Sequence, residues 1–280
     1  MLTILVPTDF SANAKAGLRF AMHWSAIQPT SLAFIHIFQP VLLPGLGDKE
    51  SKYFVENEMK RLHTKLSRYV LSLYKSLGLK PGKYSCLVKE GIAADISLLE
   101  YCRHHDEINY ICISTRGAGN INQFFGTNTG NLITKSKVPV VAVPVKYRRQ
   151  TLKSLLFTTD LSHLDSELKR IVAFARPLKI RILLFHLVFP GEFVPDKKQL
   201  ENSLLNKFRY DIKVNISKVH IENSIRENIR EQIKKTRPSL VAMFTDQNRN
   251  IFQKLFYPSK AEQLSFKTTV PLLTFPKSES

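Results

Sequence analysis

The sequence predicts an α/β fold built from two tandem domains, each a parallel β-sheet covered by helices. Short apolar runs alternate with segments of helical periodicity, an order typical of parallel strands joined by right-handed crossovers. The second half of the chain repeats the short motifs of the first half, which indicates an internal duplication. In the first half, a glycine-containing loop precedes the last strand, and such loops bind anions in many α/β proteins.

Composition limits the functional classes. The chain has 280 residues, of which 44% are hydrophobic and 23% charged, as in soluble globular proteins of one or two domains. No apolar run approaches the ~18–20 residues that span a bilayer, so we expect no membrane partner. The three cysteines show no metal-site spacing, so we expect no metal centre, no disulfide framework and a cytoplasmic location.

The formal net charge of +18 favours anionic partners. The basic residues are spread along the chain and form no long basic block. We therefore expect a generally basic surface and no dedicated nucleic-acid partner.

The first predicted strand is Leu2–Pro7, and polar residues follow at its carboxyl end. Asp9 or Ser11 is suited to cap a helix over about residues 12–27. The next strand, Leu32–Phe38, is nearly all apolar, as expected for a strand covered on both faces.

Helical and strand patterns continue to alternate through the first half. A stripe of apolar residues at three- and four-residue steps predicts a long helix over about residues 51–77, ended by Gly78. A strand at Tyr84–Val88, a helix over about 93–104 and a strand at Tyr110–Ile113 follow.

The last unit of the first half contains the glycine loop. Gly117, Gly119 and Gly126 lie between the strand and a short helix that opens near Thr127, and the strand Val138–Val145 closes the unit. The first residues of that helix can donate to phosphate oxygens or cap the helix: Thr127, Asn128 and Thr129. From the residues alone, a phosphate site and an ordinary glycine-rich turn remain open as alternatives.

The repeat predicts domains at residues 1–146 and 152–280, joined by the basic connector Lys146–Lys153. Four segments of the second half echo the first: Leu155–Ser162 echoes Ile4–Ser11, Ile182–Leu187 echoes Leu32–Ile37, Leu240–Thr245 echoes Ile108–Ile113, and Val270–Pro276 echoes Val138–Pro144.

Three motifs together resemble the universal stress protein family in its tandem-domain form: ILVPTDFS, IHIF and RGAG…FFGTNT…VPVVAVP. The resemblance implies two five-stranded parallel sheets of the adenine-nucleotide α-hydrolase-like, Rossmann-like type. It also implies a regulatory role in stress responses, and many members bind ATP while others bind none. The closing strands would pair the two domains edge to edge, which makes one chain a pseudo-dimer and leaves a further homodimer open.

The family's nucleotide motif is Gly-x-x-Gly, nine residues, then Gly followed by Ser or Thr. Here the three glycine positions are occupied by Ser114, Gly117 and Gly126, and only eight residues separate the last two. The chain thus departs from the motif twice.

The resemblance assigns each motif residue a role toward an adenine nucleotide. Asp9 would accept from the adenine or ribose, although its alternative role is that of a helix N-cap. Arg116 would reach phosphate, and its alternative is a solvated loop cation. The remaining residues would line the adenine pocket (Pro7, Thr8, Ile37), the base and ribose (Ile113, Ser114) and the phosphates (Gly117, Gly126, Thr127, Asn128, Thr129).

The second half has lost the phosphate loop. No glycine occurs from Asp246 to Ser259, and Pro258 stands where the first half has Gly126, so we expect no nucleotide there. His36 and His186 end equivalent strands, and we expect both to be partly buried structural histidines.

The leading functional hypothesis is a stress-response regulatory protein that binds ATP, with Mg²⁺, or another adenine nucleotide in its first domain only. We expect no catalytic residue and at most weak ATP hydrolysis. The alternative is a scaffold or interaction module that uses the basic surface and binds no nucleotide. An adenylating synthetase is disfavoured, because its Ser-Gly-Gly-x-Asp-Ser loop is missing after the first strand.

Overall fold

A computed structural model describes residues 1–40, 47–115, 127–148, 150–219, 225–245 and 270–276. The chain divides into two compact units, and the division after the first closing strand lies between Val145 and Lys146.

The first unit is a five-stranded parallel sheet with the strand order β3-β2-β1-β4-β5. Its elements are β1 (Leu2–Pro7), α1 (Lys15–Ile27), β2 (Thr30–Phe38), α2 (Asp48–Leu77), β3 (Tyr84–Glu90), α3 (Ala94–Arg103), β4 (Ile108–Ser114), α4 (Thr127–Lys135) and β5 (Val140–Val143). The predicted fold class is confirmed, and the α2 helix begins a few residues earlier than its apolar stripe predicts.

The second unit repeats the same order in its described residues, as β8-β7-β6-β9-β10. Its elements are β6 (Ser154–Thr158), α5 (Leu164–Leu178), β7 (Arg181–Val188), α6 (Lys197–Phe208), β8 (Ile212–Lys218), α7 (Ile225–Thr236), β9 (Leu240–Phe244) and β10 (Leu272–Phe275). Edge-to-edge pairing of the closing strands stays a prediction.

The core of each unit lies around its central strand. In β1, the side chains of Ile4, Leu5 and Val6 are fully buried, since helices cover both faces of a parallel sheet. In β6, Leu155 and Leu156 are equally buried. Continuous apolar runs in these strands are thus what the fold requires.

The start of α1 differs from the sequence-based expectation. The helix begins at Lys15, and its N-cap residue, Ala14, makes no side-chain capping bond. Asp9 instead accepts a hydrogen bond from the Ser11 backbone at 2.9 Å, which closes a local turn. The Ser11 hydroxyl accepts from the N–H of Ala14 at 3.2 Å and so caps the turn at residues 12–14 that leads into α1. Of the two predicted capping residues, Ser11 therefore caps this turn and Asp9 does not.

The strand register shows how the two units correspond. Ser114 pairs with Val143 at the end of β4, and Phe244 pairs with Phe275 at the end of β9. The residue that matches Ser114 is thus Phe244, and the sequence-based alignment of this strand is wrong by two residues. A two-residue shift keeps every side chain on its own face, so the apolar pattern alone does not reveal it.

Candidate functional site

The candidate site lies at the carboxyl ends of β1 and β4 in the first unit. In the sheet, β1 lies between β2 and β4. The connection that follows β1 leads to β2 on one side, and the chain later crosses to β4 on the other side. The connections therefore diverge between β1 and β4. Open α/β sheets bind ligands at this switch point, because the diverging connections leave a crevice beyond the strand ends.

One wall of the crevice is the turn that follows β1. The backbone N–H of Thr8 donates to Ile35 at 2.9 Å, and the buried Thr8 hydroxyl accepts from the N–H of Phe10 at 3.1 Å. These bonds fix the backbone on both sides of Asp9, whose carboxylate is exposed. The turn therefore holds an acceptor in a defined position at the rim of the crevice.

The side chain of Phe10 stabilises this turn. Its φ is 61°, a left-handed conformation that non-glycine residues adopt only where the surroundings enforce it. The ring lies 4.6 Å from the His36 ring and 5.6 Å from the Tyr69 ring, with the Lys65 ammonium 4.5 Å from its centre. Packing of the ring compensates for the cost of the backbone conformation.

His36 supports the same turn from β2. Its Nδ1 lies 2.8 Å from the Thr8 carbonyl oxygen, and because a carbonyl only accepts, Nδ1 carries the proton. The ring is half-buried, so the prediction of a structural histidine is confirmed.

Tyr69 of α2 is a site residue that sequence reasoning missed. Its hydroxyl is buried, and in the described part of the chain it makes no hydrogen bond of ordinary geometry. Burial raises the pKa of this phenol, and the Asp9 carboxylate raises it further. The Thr8 side chain interacts with the phenol and lowers this pKa in part, so the buried hydroxyl lies against the turn that carries Asp9. The sequence offers no signal for it, since Tyr69 falls within an ordinary apolar stripe.

The opposite wall of the crevice is the end of β4, where Ser114 has an unexpected role. Its hydroxyl accepts from the N–H of Gly17 at 2.6 Å and donates to the carbonyl of Ala14 at 2.8 Å. Gly17 is in the first turn of α1, whose N–H groups have no partner within the helix. Ser114 therefore caps α1 from another strand, and its side chain is directed to the helix.

Gly17 makes this cap feasible. A Cβ atom at Gly17 would lie 2.8 Å from the backbone nitrogen of Ser114 and 3.0 Å from the carbonyl carbon of Ile113. Any side chain there would push the helix away from the strand, so the close contact of α1 with β4 requires glycine.

The N-terminus of α4 lies at the same strand end. Thr129 is buried, and its hydroxyl donates to the carbonyl of Ser114 at 3.3 Å, which ties the first turn of α4 to β4. The helix begins at Thr127, and Asn128 is half-buried. The N–H groups at the N-terminus of a helix carry a partial positive charge that is suited to phosphate.

The apolar residues expected around the base also lie at this edge. Pro7, Ile37 and Ile113 end β1, β2 and β4 and are half-buried. Gly91 lies beside Ile37, because a Cβ atom there would come within 3.0 Å of the Ile37 side chain. Arg116, Gly117 and Gly126, together with the side chain of Thr127, lie outside the described residues.

The corresponding strand end of the second unit carries large aromatic side chains. Phe244, at the Ser114 position, stacks on Phe275 with ring centres 4.9 Å apart. The guanidinium of Arg170 lies 5.2 and 4.9 Å from these two rings and donates to the carbonyl of Pro276 at 2.8 Å. A buried aromatic pair with a stacked guanidinium thus stands where the first unit has Ser114.

Two classes of site find no support in the described ranges. No three His, Cys, Asp or Glu side chains there are grouped as a metal site requires. No helix in the same ranges is long and apolar enough to cross a bilayer.

Comparison with known proteins relates the chain to one family. The model of the universal stress protein family matches residues 1–144. A universal stress protein from Archaeoglobus fulgidus DSM 4304 has a similar structure, with a TM-score of 0.71, 15% identity, and coverage of 99% of this chain and 97% of that chain. A putative universal stress protein from Pseudomonas aeruginosa UCBPP-PA14 gives a TM-score of 0.57 at 10% identity, over 98% and 92% of the two chains.

At such identities the solved structures show a shared fold. No curated protein matches the chain. The family model spans more than half of the 280 residues. The chain therefore belongs to the universal stress protein family.

Proposed function

We propose that the first unit binds an adenine nucleotide and that the protein is a stress-response regulator that works through this binding. One observation carries the proposal. The switch point of the first unit holds the exposed Asp9 carboxylate on a fixed turn, at the same sheet edge as the N-terminus of α4. A hydrogen-bond acceptor and an anion-binding helix end at one crevice suit the two ends of a nucleotide.

Each group has a defined task in this proposal. Asp9 accepts from the ribose or adenine, and the buried Tyr69 hydroxyl donates beside it. Pro7, Ile37 and Ile113 contribute apolar surface to the base. The first turn of α4 donates N–H groups to phosphate oxygens, with Mg²⁺ carried in on the nucleotide. Binding is the proposed task, and hydrolysis of ATP would be weak at most.

Ser114 is compatible with this proposal although it replaces a motif glycine. Its hydroxyl is engaged with Gly17 and Ala14 of α1, which keeps the side chain on the helix side of β4. The replacement therefore supports the helix and leaves the crevice open.

The cellular setting follows from thiol chemistry. All three cysteines are free, and burial raises the pKa of Cys102 to about 12. Free, protonated thiols support a reducing compartment such as the cytoplasm.

Calorimetric titration with ATP, ADP and AMP, with and without Mg²⁺, tests the proposal. We expect one site per chain, abolished in Gly126→Val, because a side chain at that glycine would keep phosphate from the backbone. Gly82→Val is the matched control, since a Cβ atom at Gly82 meets nothing within 4 Å. Unchanged affinity in Gly126→Val would place the phosphate site elsewhere.

The second candidate function is a scaffold that binds no nucleotide. The serine at the first motif position and the loop that is one residue short favour it. Absence of heat and of any thermal shift at millimolar nucleotide would select this function.

A further inference from the structure

We propose that the amino-terminal edge of the second unit's sheet binds single-stranded nucleic acid. The nucleotide proposal concerns the carboxyl ends of the strands of the first unit, so the two proposals rest on different residues. Two open cavities lie along it, with volumes of about 600 and 630 Å³. Basic and aromatic side chains line both.

The first cavity lies where β6, β7 and β8 begin. Four cationic side chains and one carboxylate line it, together with Tyr210: Lys153, Arg176, Lys179, Arg181 and Asp211. The carboxylate of Asp211 accepts from the Nε of Arg181 at 2.6 Å, so its charge is already compensated. Three further cations remain for a ligand.

Two cavity groups are held in place by the protein. Arg176 donates to the carbonyl of Phe208 at 2.8 Å, and its guanidinium lies 5.2 Å from the centre of the Tyr210 ring. The Tyr210 hydroxyl donates to the carbonyl of Ile180 at 2.7 Å. Fixed cations and rings lose little conformational entropy when they bind.

The second cavity lies where β9 and β10 begin, beside the connector between the units. Its lining includes four cations and no acidic residue: Lys146, Arg148, Lys234 and Arg237, with Tyr147 next to them. Arg148 and Lys146 are exposed. Unlike the first cavity, this one has no carboxylate among its described lining residues.

The connector links the two cavities. The backbone of Lys153 accepts from Arg181 at 3.0 Å and donates to the Ser239 hydroxyl at 2.9 Å, which places the connector between the starts of β7 and β9. Gln150 lines the second cavity and Lys153 the first, so three residues of chain lead from one cavity to the other. The positive surface is therefore continuous along the edge.

Helix ends explain part of this charge. Arg176 and Lys179 end α5, and Lys234 is in the last turn of α7, where cations complement the helix dipole. Lys146, Arg148 and Lys153 are on the connector, where no helix end requires them. A further requirement for positive charge thus acts on this edge.

The length of this edge is suited to an extended ligand. Five strands span four steps of about 4.8 Å, or roughly 19 Å. At about 3.4 Å per nucleotide, this length corresponds to five or six stacked nucleotides. A small phosphorylated molecule would occupy one cavity only. Basic grooves with aromatic rings are typical of sites for single strands, in which phosphates meet cations and bases stack on rings.

The equivalent edge of the first unit lacks this character. The residues before β4 include Asp106 and Glu107, and Glu107 pairs with His105 at 2.9 Å. Mixed charges there would repel a phosphate chain in part. The proposed surface therefore belongs to the second unit, and it does not depend on whether the first unit binds a nucleotide.

Fluorescence anisotropy with labelled twelve-nucleotide dT and rU strands, over a range of salt concentrations, tests the proposal. The test variant removes four cations: Lys146→Gln, Lys153→Gln, Lys179→Gln and Lys234→Gln. Its control removes four exposed lysines of the first unit: Lys52→Gln, Lys60→Gln, Lys75→Gln and Lys80→Gln. Thermal unfolding of both variants checks that they fold.

We expect the wild-type protein and the control to bind the strands with a steep salt dependence. In the test variant, the slope of log K against log salt should become shallower by about 0.7 for each lost phosphate contact. Equal weakening in the test and control variants would overturn the proposal in favour of diffuse attraction. So would tighter binding to inorganic polyphosphate, or binding to vesicles of anionic lipid but to neither strand.

Discussion

The two units share the turn that follows their first strand. In both, a threonine hydroxyl accepts from the N–H two residues on, and an aspartate accepts from the N–H of a serine at 2.9 Å. Phe10 and Leu161 occupy the same left-handed position, with φ of 61° and 69°. A histidine supports the threonine carbonyl in each unit, at 2.8 and 3.1 Å. The turn is therefore a requirement of the fold.

The two units differ at the start of the first helix and at the end of the fourth strand. Leu168 occupies the position that corresponds to Gly17 of the first unit, and Phe244 occupies the position that corresponds to Ser114. Glu167 is buried where the first unit has Ala16, and it accepts from the Thr159 hydroxyl at 2.8 Å. We therefore attribute the proposed difference in nucleotide binding to these positions and not to the shared aspartate turn.

Among the substitutions that test the difference between the units, Phe244→Ser should lower the free energy of unfolding most. The substitution removes the ring that stacks on Phe275, and loss of a buried aromatic ring costs about 3–5 kcal/mol of unfolding free energy. Urea denaturation measures the loss, with Leu205→Ser at an exposed position of α6 as the control. A loss below about 1 kcal/mol would show that the ring is not part of the core. Nucleotide stoichiometry should stay unchanged, because the second unit also lacks the glycine loop.

Gly17→Leu introduces into the first unit the leucine that the second unit has at the corresponding position, Leu168. The new side chain would collide with the backbone of Ser114, and we expect a loss of about 3 kcal/mol in unfolding free energy. Gly82→Leu is the control, since space is open there. Equal stability of the two variants would contradict the close helix contact.

Ser114→Ala tests the cap that β4 supplies to α1. Loss of the hydroxyl leaves the Gly17 N–H without its acceptor, and we expect a cost of about 1–2 kcal/mol. Ser85→Ala on the exposed edge strand should cost much less. Ser114→Gly restores the family glycine and should lose similar stability while it keeps nucleotide affinity. A large loss of affinity in that variant would instead make the hydroxyl a ligand contact.

Glu167→Gln gives an effect that depends on pH. Burial raises the pKa of Glu167 from 4.5 to about 7. The folded protein therefore binds this proton more tightly than the unfolded chain, and the resulting stabilisation is lost as pH rises from about 4.5 to 7. Because one pKa unit corresponds to about 1.4 kcal/mol, we expect the variant to match the wild type near pH 4 and to exceed it by up to about 3 kcal/mol at pH 8. A difference that does not change with pH, or one shared by Glu100→Gln, would contradict this account.

Much of the fold could be predicted from local patterns. The strand Leu2–Pro7 was predicted to the residue, since a continuous apolar run ending in proline and polar residues marks a buried strand. The duplication was predicted from repeated motifs, and the alternation of strands and helices from the apolar patterns. The start of α1 was predicted about three residues too early, and a second cap, which comes from Ser114 about a hundred residues away in sequence, was missed. Local capping patterns do not contain such a contact.

The candidate site was predictable only where it coincides with motifs. Asp9 and Ser114 were identified from the family motifs in which they stand, but the role of the serine hydroxyl depends on the helix packed against it. Tyr69 and Phe244 were missed as determinants, since an aromatic residue within an apolar pattern carries no sign of the cavity that it borders or fills. Their roles come from tertiary packing.

We propose that the chain binds nucleotide at one crevice only, which is the crevice of the first unit. Calorimetric titration of ATP with Mg²⁺ into Asp9→Asn and Asp160→Asn tests it directly, because each asparagine keeps the oxygen that closes the turn and removes only the charge. We expect one site per chain. The affinity for ATP should fall about 10- to 100-fold in Asp9→Asn, because a charged hydrogen bond is lost, and should stay unchanged in Asp160→Asn. Two sites, or a loss confined to Asp160→Asn, would contradict it.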